Sequence, residues 1–505
     1  MIQRLFIFLL CLFSLCVLFD CRRKETTVLN PPVPDTIPVI KKLTPADSLV
    51  LSLDSLKTDS AFRHASFSWC ILDYSKGIPE PLYAFNEEQS LVPASVLKIL
   101  TTGAALGILG EGKSFRTTLQ YDGTVENRIL KGNLYIRGGG DPTFGSGTTF
   151  TRWVNAIREL GIDTVTGAVI GDGRIFGRVT IPLTWTWGEL QLPYCAPASG
   201  LTVFGNVYQG TGDRKEKRKY KPVKGSQQPD IPQMMFENEI SEGSDVREEI
   251  YVVGDPYSYS FYLQGTLLEG QSFFPYAGVI PDPAYLAALE LKNKLAESGV
   301  FVAGEATNIE QADSAVLASI AKDCRDIAFA WSPSVATLVA LTNLQSNNLF
   351  AEHLIKQIGL RKHRYGSTEA GCKAVSLFWK EKGIDTEGMF LYDGCGISRY
   401  NAVTSKQLAD VLFLMTRSPG FQTFYNSLPL AGVSGTMAKS MKGTSAEGNI
   451  RAKTGTISRV KSYAGYSRST TGKRLIFSFI VNNFSGPQGN VRDKLERIMV
   501  LMTHL

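Results

Sequence analysis

The run from Ser95 to Leu109 constrains this chain most. Val96, Leu97, Ile99, Leu100, Ala104, Ala105, Leu106, Ile108 and Leu109 leave it no polar face. A helix that is apolar all round belongs inside a core, and Gly110 is suited to end it. Lys98, its one charged residue, is therefore carried into that core. Positions 95 and 98 share a helical face, so the Lys98 amine can reach Ser95 Oγ. A serine hydroxyl is a poor nucleophile until a base removes its proton. Burial, the positive end of the helix and a second cation at Lys453 all push the lysine toward its neutral, basic form. A helix-capping serine with a surface lysine would need a polar face, and there is none.

Two further motifs follow in order, Ser346-Asn-Asn348 and Lys453-Thr-Gly455. With Ser-x-x-Lys they make up an acylating serine site that uses lysine as its base. Ser346 and Asn348 precede a helix, where such residues commonly cap. Beside the other motifs, Ser346 is expected to relay a proton to a leaving amine, and Asn348 to hold Lys98 and the acyl side chain of a substrate. Lys453 is expected to supply positive charge at the end of a strand. Gly455 would let a substrate backbone lie along the strand edge. Thr454 and Thr456 hydroxyls suit a carboxylate, and the N–H groups of Ser95 and Thr456 would form an oxyanion hole. The four histidines, 64, 353, 363 and 504, suggest no histidine-based triad; His353 is expected to be structural.

A chain of 505 residues suggests two or three domains. A net charge of +6 is small for that length and makes no case for nucleic acid. Arg4 precedes an apolar run, Leu5 to Phe19, shorter than the ~20 residues of a membrane helix and suited to a secretory signal core. Cys16 and Cys21 stand where a lipoprotein signal places its lipidated cysteine, although Asp20 fits a cleavage site poorly. Lipidation at Cys21, plain secretion and an uncleaved anchor all stay open. Residues Glu25 to Asp47 read as a proline-rich tether. Five cysteines follow the leader, at 70, 195, 324, 372 and 395. Their irregular spacing, without Cys-x-x-Cys, argues against zinc; free buried thiols are preferred over a disulfide.

Residues 66–85 read as strand, turn and strand. From about 113 to 306 the chain turns to short β-like runs, Thr117–Tyr121, Gly132–Arg137, Val165–Ile170 and Gly200–Tyr208, with a basic solvated loop at Asp213–Lys224. Helical patterning resumes at Ser334–Leu344, Asn348–Ile358 and Leu408–Met415. An antiparallel meander, Ile450–Thr456, Ser462–Tyr466 and Leu475–Asn482, precedes a closing helix over Val491–Leu505. The expected fold is α+β, with a catalytic domain over 48–112 and 307–505. It is split by a mostly-β insertion over 113–306, read as two small domains, and preceded by a signal over 1–21 and a tether over 22–47.

At these residues the chain resembles the penicillin-recognising serine enzymes. More narrowly, it resembles the class C low-molecular-mass penicillin-binding proteins, the D-alanyl-D-alanine carboxypeptidase/endopeptidase family. The likeness is carried by Pro93-Ala-Ser-Val-Leu-Lys98, Gly138-Gly-Gly-Asp-Pro142, Ser346-Asn-Asn-Leu-Phe-Ala-Glu352, Asp393-Gly-Cys-Gly-Ile-Ser-Arg-Tyr-Asn401, Gly435-Thr436 and Arg451-Ala-Lys-Thr-Gly-Thr456. The gap of 251 residues between Ser95 and Ser346 suits a family with extra domains there. The resemblance implies a serine β-lactamase/transpeptidase-like domain with an antiparallel sheet flanked by helices. It implies cleavage of D-Ala-D-Ala or cross-bridge bonds in peptidoglycan stem peptides, and acylation of Ser95 by β-lactams. It also implies no cofactor, an envelope location with a lipid anchor as an option, and substrate contacts at Ser398 and Arg399. An acid from the insertion usually meets the amino end of the substrate's side chain in this family. Trp185-Thr-Trp-Gly-Glu189 resembles that segment, with Glu189 in place of the usual Asp, while Cys395 replaces a usual Ser. A β-lactamase and a non-catalytic wall-binding scaffold remain as alternatives.

Overall fold

The computed structural model describes residues 43–216, 218–244, 249–311 and 324–505. The expected signal core, Cys11, Cys16, Cys21 and nearly all of the proline-rich segment lie outside them. The described chain opens on helix Pro45–Thr58, which starts inside the expected tether. Its N-terminus is closed by a Thr44–Asp47 capping box. No helix among the described residues is long and apolar enough to cross a membrane.

Segments from early and late in the described residues meet in one five-stranded antiparallel sheet. Its spatial order is Arg451–Ile457, Val460–Arg468, Arg474–Asn482, Ser66–Asp73 and Glu80–Phe85. The first three strands are the predicted meander; the last two are the predicted strand–turn–strand, joined to it through Trp69 opposite Phe479. Alternation along the strands feeds two cores. On one face Leu49, Leu53, Trp69, Phe477 and Leu495 pack under the first and last helices. On the other, the helices Lys98–Leu109, Val335–Leu344, Asn348–His363, Thr368–Glu381 and Ser405–Met415 surround Leu97, Leu100, Leu338, Leu354 and Leu408. Ile99, Leu100, Ala104 and Ala105 have no exposed surface. A run without a polar face has thus found apolar neighbours on all sides.

The inserted region departs from its expected bounds. A mixed sheet in the order Ala306–Asn308, Val169–Asp172, Leu134–Arg137 and Arg116–Tyr121 takes its fifth strand from Arg325–Trp331, past residue 306. Among the described residues the segment also holds two α-helices, Thr149–Glu159 and Pro283–Glu297. A single apolar cluster links Leu119 and Leu291 to Tyr208, Phe236 and Phe261 of the strands beyond, so the parts share one core. Gly200–Tyr208 is strand only from Val207, because Phe204–Asn206 is a 3-10 turn. In the basic loop, Arg214 pairs with Glu242, and Arg218 with Glu237. Such exposed pairs are worth little each, in keeping with a solvated segment. Cys70, Cys195, Cys372 and Cys395 are buried free thiols.

Candidate active site

Ser95 lies in a 3-10 turn, Ala94–Leu97, that runs into the buried helix. Ala94 before it has φ of 48°, a left-handed conformation that costs free energy for a residue with a Cβ and tends to occur at functional positions. Two glycines admit this turn. A Cβ on Gly396 (φ +90°) would lie 2.0 Å from Ala94 O, and one on Gly455 would lie 2.6 Å from Pro93 O and 2.1 Å from Ser462 Oγ. Gly455 is thus needed for packing of the Lys453 strand against the nucleophile turn, which the expected role along a substrate backbone had not captured. Gly383 has a nearly equal φ of +91° but open space around it, so it isolates the backbone strain. Gly396→Ala is expected to destabilise the protein by about 1–3 kcal/mol more than Gly383→Ala, read as the difference between their denaturation midpoints. Equal losses would mean that the turn does not need the close approach.

Lys98 has no exposed surface. Its Nζ lies 2.7 Å from Asn348 Oδ1, 2.6 Å from the Cys395 carbonyl and 2.9 Å from Ser95 Oγ. The two carbonyl oxygens can only accept. Nζ donates to all three oxygens; on losing a proton it keeps two N–H donors for the carbonyls and can turn its lone pair to the serine hydroxyl. Burial drives Lys98 below its ordinary range, opposed by the acids Asp393 and Glu352. The neighbouring lysine acts mainly the other way: burial and the charges of Lys98 and Lys461 hold Lys453 well below its ordinary range. Lys453 Nζ reaches Ser346 Oγ at 2.9 Å and Thr454 O at 2.8 Å.

Ser95, Ser346, Thr454 and Thr456 line one cleft of about 660 Å³, together with Thr436 and Lys461. Thr454 donates to Thr436 Oγ1 at 2.8 Å. Ser346 has φ of 56°, and Asn347 is the residue that caps the following helix. That leaves Asn348 free of the cap: its Oδ1 meets Lys98, and its Nδ2 donates to Tyr194 O at 2.9 Å.

The other expected contacts lie farther out. Ser398 is fully buried, and its N–H donates to Asp393 at 2.6 Å; it builds a loop and does not line the cleft. Arg399 is exposed and donates to Ser458 O across the strand turn. Glu189 takes hydrogen bonds from Thr186 and Tyr194, so it reaches Asn348 only by way of the Tyr194 residue. Of its two neighbouring tryptophans, Trp185 is buried and Trp187 is exposed. His353 is buried against Leu349 O, Ser199 O and Thr202, and burial lowers its pKa to about 4. It is structural, as expected.

A buried polar frame that no motif reading assigned supports these groups. Asp393 accepts from Gly396 N–H, Ser398 N–H, Asn401 Nδ2 and Trp185 Nε1. Glu352 accepts from Gly394 N–H at 2.7 Å, and burial beside Asp393 raises it to about 7. Lys356, on the next turn of that helix, donates to the Val179 and Ala198 carbonyls of the inserted region. The loop whose Cys395 carbonyl holds Lys98 is thereby tied to both the catalytic helices and the insertion.

A family model described as D-Ala-D-Ala carboxypeptidase 3 (S13) matches residues 49–503. Over 450 residues the chain is 29% identical to a D-alanyl-D-alanine carboxypeptidase of an Actinomadura species, covering 86% of this chain and 81% of that protein. It is 24% identical over 421 residues to the D-alanyl-D-alanine carboxypeptidase DacB of Haemophilus influenzae, covering 82% and 84%. The crystal structure of penicillin binding protein 4 (dacB) from Haemophilus influenzae superposes with a TM-score of 0.76 at 20% identity, covering 90% of this chain and 99% of that one.

Proposed function

The chain belongs to the D-Ala-D-Ala carboxypeptidase 3 (S13) family and is a serine D-alanyl-D-alanine carboxypeptidase, and from that premise we propose how its residues divide the work. Lys98, whose pKa burial lowers, takes the Ser95 proton in its neutral form as Oγ attacks the carbonyl of the penultimate D-Ala. The N–H groups of Ser95 and Thr456 receive the oxyanion. Ser346, bonded to Lys453, passes its proton to the amine of the departing D-Ala and is resupplied with the proton that Lys98 took, so that Lys98 is neutral again. Water then attacks the ester as Lys98 takes its proton, and Lys98 returns that proton to Ser95 Oγ as the shortened peptide leaves. Thr454 and Thr456 receive the terminal carboxylate. Its arrival favours the protonated form of Lys453. The observation that carries this reading is the fully buried Lys98 Nζ, 2.9 Å from Ser95 Oγ and held there by the Asn348 and Cys395 carbonyl oxygens.

Release of an oligopeptide instead of D-Ala is the same acyl transfer with a longer leaving group, so cross-bridge cleavage belongs to the proposal. Peptidoglycan stem peptides are the substrates and β-lactams the covalent inhibitors. That substrate lies outside the cytoplasm. The apolar run from Leu5 to Phe19 then serves as the export signal and Cys21 as the residue a lipid would modify, placing the enzyme in the periplasm or envelope. Fluorescent penicillin should label the protein stably. Rapid turnover of the label would mark a β-lactamase, and no labelling a scaffold. Purified muropeptides should lose D-Ala in a mass spectrum of the digest. Products split at the cross-bridge would establish the endopeptidase.

Glu189 is proposed to meet the free amine of a diamino acid in the stem peptide. Glu189→Gln is expected to lower kcat/KM only for peptides that carry the amine, with penicillin acylation unchanged. Equal effects on peptides with and without the amine would remove Glu189 from the site.

A further inference from the structure

Lys461 lies on the strand beside the Lys453 strand, directly opposite Thr456 in the antiparallel register. Side chains opposite one another in a sheet share a face. Its Nζ is 2.9 Å from Thr456 Oγ1, and it lines the same cleft as Ser95 and Thr454 while only 8% exposed. No step above uses it. An ammonium has three donors and no lone pair, so the threonine oxygen accepts in this contact. The Thr456 hydroxyl proton is then turned away from Lys461 and is free to be donated. A threonine hydroxyl can otherwise point its proton either way, and only one of the two choices suits an anion.

We propose that Lys461 is a specificity-determining residue for the free C-terminal carboxylate of the substrate, holding the Thr456 hydroxyl as a donor and placing a positive charge behind it. This rests on the reading that Thr454 and Thr456 receive that carboxylate. Lys461 acts through Thr456 and is a positioning residue. The groups that face its ammonium are the Tyr463 ring at 4.8 Å and, from the C-terminal helix, Glu496 and Arg492; Asp493 and Lys439 line the same cleft, and Lys453 lies across the strand. Glu496 already accepts from Tyr463 Oη at 3.0 Å. Burial lowers Lys461 to about 8, with Glu496 opposing and Arg492 reinforcing. Lys461 therefore keeps its positive charge at neutral pH.

The test compares an acyl-D-Ala-D-Ala peptide with the same peptide amidated at its C-terminus, using Lys461→Met and Lys461→Arg. Lys461→Met should raise KM for the acid roughly ten- to a hundredfold, the value of a charge-assisted hydrogen bond. It should leave kcat and the amide kinetics nearly unchanged. Lys461→Arg should restore the preference for the acid. In the parent that preference should fall as pH rises through about 8, because the cation is present below its pKa and lost above it. In the arginine variant it should stay flat. Equal losses on acid and amide, no loss on either, or an arginine variant no better than methionine would overturn the proposal. If the parent releases D-Ala and no selective loss is seen, the Lys461 assignment alone falls. If the parent releases no D-Ala from the acid peptide, the carboxypeptidase reading falls and this proposal with it.

Discussion

Lys98→Ala is expected to slow acylation of Ser95 by penicillin about 10²–10⁴-fold, the usual contribution of a positioned base. The protein should remain folded, because removing a buried amine leaves only the Asn348 and Cys395 carbonyls to be satisfied, and water can fill the space. An unperturbed lysine is neutral in roughly one molecule in a few thousand at pH 7, so a site relying on one must depress its pKa. Here burial does so, and Asp393 and Glu352 limit how far. The sign follows: the base is the deprotonated form, so acylation should rise with pH and level off below the ordinary lysine range. In Lys98→Ala the residual rate should lose that rise. Mass spectrometry of the parent should place the adduct on the peptide holding Ser95, and Ser95→Ala should take no label. Acylation of Lys98→Ala within a few-fold of the parent would refute the assignment of the base.

What the sequence revealed, and what it hid, follows the range of the interactions. The Ser95–Lys98 contact is local, fixed by helical spacing and by a run with no polar face. Ser95 itself sits on a 3-10 turn ahead of the α-helix, yet the spacing of three brings the two side chains together. The meander was readable because its links are short. The two-residue turn at Ser458-Arg459 sets Thr456 against Lys461. That register could have pointed to Lys461 from the residues alone, but no motif includes it. Ser346 and Lys453, 107 positions apart, meet only because the sheet and the helical layer share a core, and motif order stood in for that geometry. Asn347 took the capping role that seemed open to Ser346 and Asn348, and this frees Asn348 for Lys98. The insertion was harder. Its sheet takes a last strand from Arg325–Trp331, and no local pattern announces a pairing with Arg116–Tyr121. Asp393 and Ser398 belong to a quoted motif, but the motif alone assigned no role to the aspartate. The serine expected at the substrate is buried in the loop, and the aspartate organises the loop that holds the base.

Asp393→Ala is expected to produce the largest structural loss in the molecule. The carboxylate, with no exposed surface, accepts from two backbone N–H groups, an asparagine amide and an indole. Removing it leaves those donors buried without partners, at about 1–3 kcal/mol for each that stays unsatisfied. Water entry and relief of Asp393–Glu352 repulsion offset part of this, so a net loss of about 3–5 kcal/mol is expected, the usual result of breaking a buried charged network. Asp393→Asn keeps the shape but presents an NH₂ where an N–H must be accepted, and should recover only part of the stability. The loop from Asp393 to Asn401 carries the Cys395 carbonyl that orients Lys98, and Trp185 links it to the segment bearing Tyr194 and Glu189. Loss of the anchor should therefore misplace the base as well. A shift of about 1 Å in such a group can cost 10²-fold in rate. Denaturant midpoints and penicillin acylation of the asparagine variant, measured where it is still folded, separate the two effects. A variant that loses stability but acylates at the parental rate would make Asp393 a packing residue only. A variant with parental midpoint and parental rate would show that neither the loop nor the base depends on it.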